Sequence, residues 1–125
     1  MKVLADTHVG VWWLAEPERL ESRAREILMD PGTRVFFSSA SLWEIELKRA
    51  KGKLEIPEHY WDLLRAEGFE ELPVRVEHVL ALRRLPAVHA DPFDRMLVAQ
   101  AGAEGLVLAS RDEFMAGYGL PLLRV

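Results

Sequence analysis

The sequence predicts an α/β protein in three layers, with a central, mostly parallel sheet covered by helices on both faces. Short runs that are apolar at successive positions, as strands buried between two helical layers must be, recur along the chain. Segments with apolar residues at helical spacing fill the gaps between them, the alternation that builds parallel sheets. The length agrees: 125 residues, half of them apolar and 29% charged, suffice for one domain with a real core and leave no room for a second. A single domain over residues 1–125 is therefore expected.

The elements follow in order. Val3–Ala5 reads as the first strand and Thr7 to Ala15 as a short, aromatic helix. A longer helix is expected from Glu18 to Met29, where Leu20, Ala24, Ile27 and Leu28 keep helical spacing before Pro31-Gly32 breaks the pattern. Val35–Phe37 is the second strand and Leu42 to Ala50 the next helix, closed by Gly52. Glu58 to Ala66 is helical up to Gly68, and Glu71–Val74 is a weaker strand that contains Pro73. Glu77 to Leu85 ends at Pro86. Pro92 opens a helix over Phe93 to Glu104, which Gly105 ends. Leu106–Ala109 and Leu122–Val125 supply the last strands, with a break at Gly117.

Composition excludes several function classes. Twenty acidic residues against sixteen basic ones give a net charge of −4, unlike a nucleic-acid binder whose overall basicity carries its affinity. A nuclease that holds phosphate through metal ions stays open. Cysteine is absent, so there is no disulfide framework, zinc–thiolate centre or cysteine nucleophile. The apolar run from Val9 to Ala15 is far too short to span a membrane, and Asp6 and His8 interrupt any leader-like start. A cytoplasmic protein with no membrane partner is expected.

Open parallel sheets bind their ligands in the crevice outside the carboxyl ends of the strands. Four acids stand where this crevice is expected. Asp6 directly follows the first strand, and Glu44 lies in the helix after the second. Asp94 sits in the first turn of the helix opened by Pro92, and Asp112 follows the strand Leu106–Ala109. Each has a plain structural reading as well. Asp6 suits an N-cap, Ser41 to Glu44 fits a capping box, Asp91 to Asp94 places caps around Pro92, and Asp112 suits a turn. Four together are harder to explain that way, because clustered carboxylates repel unless a cation joins them. Mg²⁺ and Mn²⁺ prefer such oxygen donors. No phosphate-cradling glycine loop is present, so phosphate would be held through the metal, and the chemistry that suits the set is phosphodiester hydrolysis.

Four segments carry a family likeness: Val-Leu-Ala-Asp-Thr-His (3–8), Ser-Ala-Ser-Leu-Trp-Glu-Ile-Glu-Leu-Lys (39–48), His-Ala-Asp-Pro-Phe-Asp-Arg-Met-Leu-Val-Ala-Gln-Ala (89–101) and Ala-Ser-Arg-Asp (109–112). Together they resemble the PIN domain, and more narrowly the VapC-type toxins of bacterial toxin–antitoxin pairs. The resemblance spans the chain and implies a PIN-like α/β/α fold and a Mg²⁺- or Mn²⁺-dependent endoribonuclease. It matches Asp6, Glu44 and Asp94 to the family's three core acids and Asp112 to its more variable fourth. Asp6 and Asp94 are then the expected direct metal ligands. Glu44 is expected to bind metal or position water, and Asp112 to act through a water. It also implies RNA as substrate, an antitoxin protein as partner and a homodimer. Asp91 belongs to the motif but reads physically as the cap of the helix that carries Asp94.

Further residues have two readings each. Thr7 suits either a phosphate or metal-site contact or a plain cap, and Ser110 keeps a hydroxyl where many relatives carry Thr. His8 and His89 flank two proposed ligands, and structural or outer-sphere roles are expected of them. Trp12, Trp13 and Trp43 suit base stacking, but aromatic residues interleaved with aliphatic ones more often form core or interface. Lys48 lies one turn beyond Glu44 and fits an i,i+4 ion pair. Arg95 and Arg111 adjoin the acids and are the candidate phosphate contacts. A phosphoacceptor signalling domain is a poor match, since Thr7-His8 follows Asp6 and the last third of the chain lacks Lys. A catalytically idle PIN-like module and a DNA-directed nuclease remain the alternatives.

Overall fold

The computed structural model describes residues 1–88 and 90–125, with the side chain of Phe114 excepted. The strands are β1 (Lys2–Ala5), β2 (Arg34–Ser38), β3 (Glu70–Leu72), β4 (Val107–Ser110) and β5 (Leu122–Arg124). They form one sheet in the order β3-β2-β1-β4-β5, and every pairing is parallel. Helices α1 (Thr7–Ala15), α2 (Ser22–Met29), α3 (Ser39–Ala50), α4 (Tyr60–Ala66), α5 (Val76–Ala81) and α6 (Pro92–Glu104) connect them.

The two faces of the sheet explain the apolar strands. Val3 and Ala5 of β1 join one core with Val35, Phe37 and Ala109, against residues of α1, α2, α3 and α4. Leu4, between them, points the other way and joins Leu108, Leu97, Val98 and Ala101 under α6. Successive residues therefore bury on opposite faces, as the pleat requires. The order places β1 at the centre, so whatever follows Ala5 emerges mid-sheet.

Gly10 brings α1 close against the sheet. A Cβ there would lie 2.5 Å from Cε1 of Phe37, so only glycine lets α1 settle on that ring. At the other end of the chain, Gly105 closes α6 in the left-handed conformation (φ 66°), which a residue without Cβ adopts at no steric cost.

Several sequence expectations require correction. The helix expected over Glu18 to Met29 is two pieces. Pro17–Arg19 forms a 3₁₀ turn, Leu20 adopts extended backbone and is buried, and α2 begins only at Ser22. Leu20 docks into the core, and that burial overrides the helical spacing. Likewise α3 begins at Ser39, because Ser38 is its cap and accepts from Ala40 N at 3.0 Å. The capping-box reading of Ser41 to Glu44 therefore fails. The segment expected as a helix from Glu77 to Leu85 ends as α5 and continues as a 3₁₀ turn over Leu82–Arg84. A further 3₁₀ segment, Glu113–Tyr118, occupies the stretch where only a break at Gly117 was expected.

Candidate carboxylate site at the sheet rim

The residues expected to carry chemistry belong to segments that leave β1, β2 and β4 at their carboxyl ends, together with the N-terminus of α6. Asp6 is the hinge of the site. Its Oδ1 accepts from Val9 N at 3.0 Å and caps α1, while Ser110 Oγ donates to Oδ2 at 2.5 Å. Its own N–H bonds Ala109 O at 3.0 Å, which ties it to the end of β4. The plain reading of Asp6 as a cap is thus correct, and its second oxygen is held by Ser110. Asp6 is 5% exposed. Burial pushes its carboxyl above the ordinary range; the bonds from Ser110 and Val9 and the charge of His8 oppose this, and repulsion from Glu44 adds to it.

Ser110 is fully buried and bridges two of the acids. Its Oγ donates to Asp6 and accepts from Asp112 N at 3.1 Å, so one hydroxyl fixes the Asp6 carboxylate and the turn that carries Asp112. Asp112 itself is half-buried.

Glu44 is buried in the second turn of α3, and its Oε2 lies 2.9 Å from Lys48 Nζ. The hydroxyls of Thr7 and Ser41 meet at 2.9 Å and pin α1 to α3 one turn before Glu44. Sequence reasoning missed Ser41 in this role; the only signal was its place three residues before Glu44. Further along, α3 is braced by Tyr60, whose hydroxyl donates to Glu46 Oε2 at 2.8 Å, and by Arg49 Nη1 on Pro57 O at 3.3 Å.

Asp91 caps α6, accepting from Phe93 N at 2.8 Å and Asp94 N at 3.1 Å, with Pro92 at the first helical position. This is the arrangement the sequence suggested for Asp91. Asp94 follows in the first turn, where the helix dipole favours an anion. Phe93 and Trp43, the chain neighbours of Asp94 and Glu44, meet edge-to-face at 5.2 Å. That contact draws the two acid-bearing helices together.

The arginines beside the acids hold backbone. Arg95 Nη1 donates to Pro86 O at 2.9 Å, and Nη2 lies 3.5 Å from Leu82 O. Arg111 donates from Nε to Val125 O at 3.0 Å and from Nη2 to Arg19 O, with its guanidinium 4.4 Å from the Trp12 ring centre. Each clamps a neighbouring segment to the rim. His8 is exposed and lies against Trp12, at 5.6 Å between ring centres. The expectation for His89 falls outside the described residues.

A separate group, Glu77, His78 and Glu104, has ligand atoms within 4.8 Å of one another. It belongs to the far end of α6, ten residues or roughly 15 Å along the helix from Asp94. His78 Nδ1 accepts from Arg75 N at 2.9 Å, so a neutral ring carries its proton on Nε2 and donates it to Glu104 Oε1 at 2.8 Å. The nitrogen facing these acids is thus a donor rather than a metal-binding lone pair. Hydrogen bonding accounts for the His78–Glu104 pair without an ion.

Residues 3–119 match the PIN domain family. Ribonuclease VapC22 of Mycobacterium tuberculosis (strain ATCC 25618 / H37Rv) is 27% identical over 122 residues, covering 95% of this chain and 93% of that protein. Among solved structures, VapBC2 from Rickettsia felis bound to a DNA fragment from their promoter superposes with a TM-score of 0.75 at 16% identity, covering 99% and 98% of the two chains. DNA-bound VapBC from Salmonella typhimurium gives 0.71 at 19% identity, with the same coverage. At such identities the structural likeness speaks for the α/β/α fold, which agrees with the parallel sheet described above. Among the described residues no helix is long and apolar enough to cross a membrane.

Proposed function

The chain belongs to the PIN domain family, and on that premise we propose that it is a Mg²⁺- or Mn²⁺-dependent endoribonuclease, the toxin of a toxin–antitoxin pair. It acts as a single nuclease domain spanning residues 1–125, in the cytoplasm. The observation that carries the reading is Asp6: a carboxylate buried at the carboxyl end of the central strand, braced by Ser110 and Val9 and repelled by Glu44. Burying that charge is costly unless a cation joins it, and the oxygen-only donor set suits a hard divalent ion. Asp6 and Asp94 would hold it directly, with Glu44 as a ligand or water-positioning group and Asp112 acting through water.

Such an ion supplies Lewis acidity and activates water for attack on a phosphodiester. The chain's own contribution is positional. Ser110 keeps Asp6 aimed and carries Asp112 on the same hydroxyl, and the Thr7–Ser41 contact fixes the spacing between α1 and α3. Asp91 sets the start of α6 and so the place of Asp94. The net charge of −4 supports RNA binding that relies on the metal site and is weak and salt-sensitive.

The antitoxin reading is supported by the VapBC assemblies among the structural relatives. An arginine of an inhibiting segment would satisfy the carboxylates by charge-assisted hydrogen bonds. A homodimer suits the apolar groove of about 470 Å³ that Trp43, Val79, Phe93 and Met96 line beside Glu44 and Asp94. Trp43 is 63% exposed on the wall of that groove.

The direct test is cleavage of labelled RNA and matched DNA by the purified protein with Mn²⁺ or Mg²⁺. RNA cutting that EDTA and Asp94→Asn both abolish is the expected result. Cutting of DNA alone would redirect the substrate, and no cutting of either polymer would leave an idle PIN-like module.

A further inference from the structure

Lys48 and Glu44 form an i,i+4 pair of a kind that is common on solvated helices and contributes little there. This pair is different, because Glu44 faces inward. The Glu44 side chain is 8% exposed and that of Lys48 37%, so the ammonium is drawn in from the surface onto a carboxylate of the proposed site. The contact is a direct one, 2.9 Å from Nζ to Oε2. Beside it stands Asp6, which Glu44 repels.

We propose that Lys48 is the built-in cation of this site, taking the charge-balancing place of a second divalent ion, so that the carboxylates hold one ion rather than two. The inference rests on the metal-dependent reading above. Lys48 occupies one oxygen of Glu44 and sets a permanent positive charge beside it, and a second divalent ion sharing that carboxylate would face this charge at short range and low effective dielectric. A single ion held by Asp6 and Asp94 does not need that oxygen. Lys48 acts through Glu44 and is a positioning residue.

Mn²⁺ titrated into the full-length protein, with bound ions counted by calorimetry and electron paramagnetic resonance, tests this without recourse to activity. Wild type is expected to bind one Mn²⁺ per chain. Lys48→Met frees Glu44 and is expected to bind a second, at an affinity raised about tenfold or more by the lost positive charge. Lys48→Arg should remain at one, and Lys48→Met combined with Glu44→Gln should return to one.

Two ions on the wild type would overturn the proposal, as would an unchanged count and affinity in Lys48→Met, or a gain that survives Glu44→Gln. No Mn²⁺ on the wild type would overturn it together with metal dependence. Should Lys48→Met fail to fold, Lys48→Gln takes its place, with a second ion expected and an unchanged count overturning the proposal. One bound ion with no cleavage of RNA would instead sink the ribonuclease reading and leave Lys48 in its role.

Discussion

Asp6 shows how one side chain serves fold and chemistry at once, and its burial carries a cost. Its carboxyl is held above the ordinary range chiefly by burial. Between its unfolded and folded values the native state binds the extra proton, so the stability of the metal-free protein falls as pH rises through that window. Asp6→Asn lacks the penalty. In EDTA at neutral pH it should melt higher by about 3–5 °C, the scale of 1 kcal/mol in a domain of this size, and the gain should vanish near pH 4. Melting curves of both proteins across pH check the sign, and divalent ion should stabilise the wild type alone. Ser110→Ala should weaken Mn²⁺ binding by about 10–100-fold, the usual cost of losing a group that orients a ligand. At this scale the sequence was legible where a motif named the residue. It was silent on which oxygen of Asp6 caps α1 and which meets Ser110, because that depends on two strand ends 104 residues apart.

Elements were legible where local chemistry decides them. Asp91 and Pro92 start α6 and Gly105 ends it, as capping preference and the left-handed turn require. Thr7–Ala15 is helical over the span expected from sequence. The expected helix over Glu18 to Met29 broke at Leu20 because a buried contact outweighs spacing, and no local signal records that contact. Gly10 belongs here too: as one glycine among eight it reveals nothing, and only the ring of Phe37 explains it. Gly10→Ala should destabilise by about 1–3 kcal/mol through overpacking between α1 and β2, measured by urea denaturation. Unchanged stability would mean that α1 is free to shift away from the sheet.

For the molecule as a whole, the alternation of strands and helices announced the parallel sheet and with it the rim on which the acids stand. Surface identity was less legible. Trp12, Trp13 and Trp43 read alike in sequence, yet the first two pack against the core and Trp43 stays exposed at the groove beside the acids. If that groove is the face of a homodimer, Trp43→Glu should shift the protein to monomer in sedimentation experiments and leave its melting temperature nearly unchanged. The central claim is that the cation belongs at the rim, among Asp6, Glu44, Asp94 and Asp112, and not among Glu77, His78 and Glu104. Anomalous scattering from crystals soaked in Mn²⁺ tests it most directly. A peak in contact with Asp6 and Asp94 is the predicted result. A peak at His78, or none at the rim at millimolar Mn²⁺, would contradict the account.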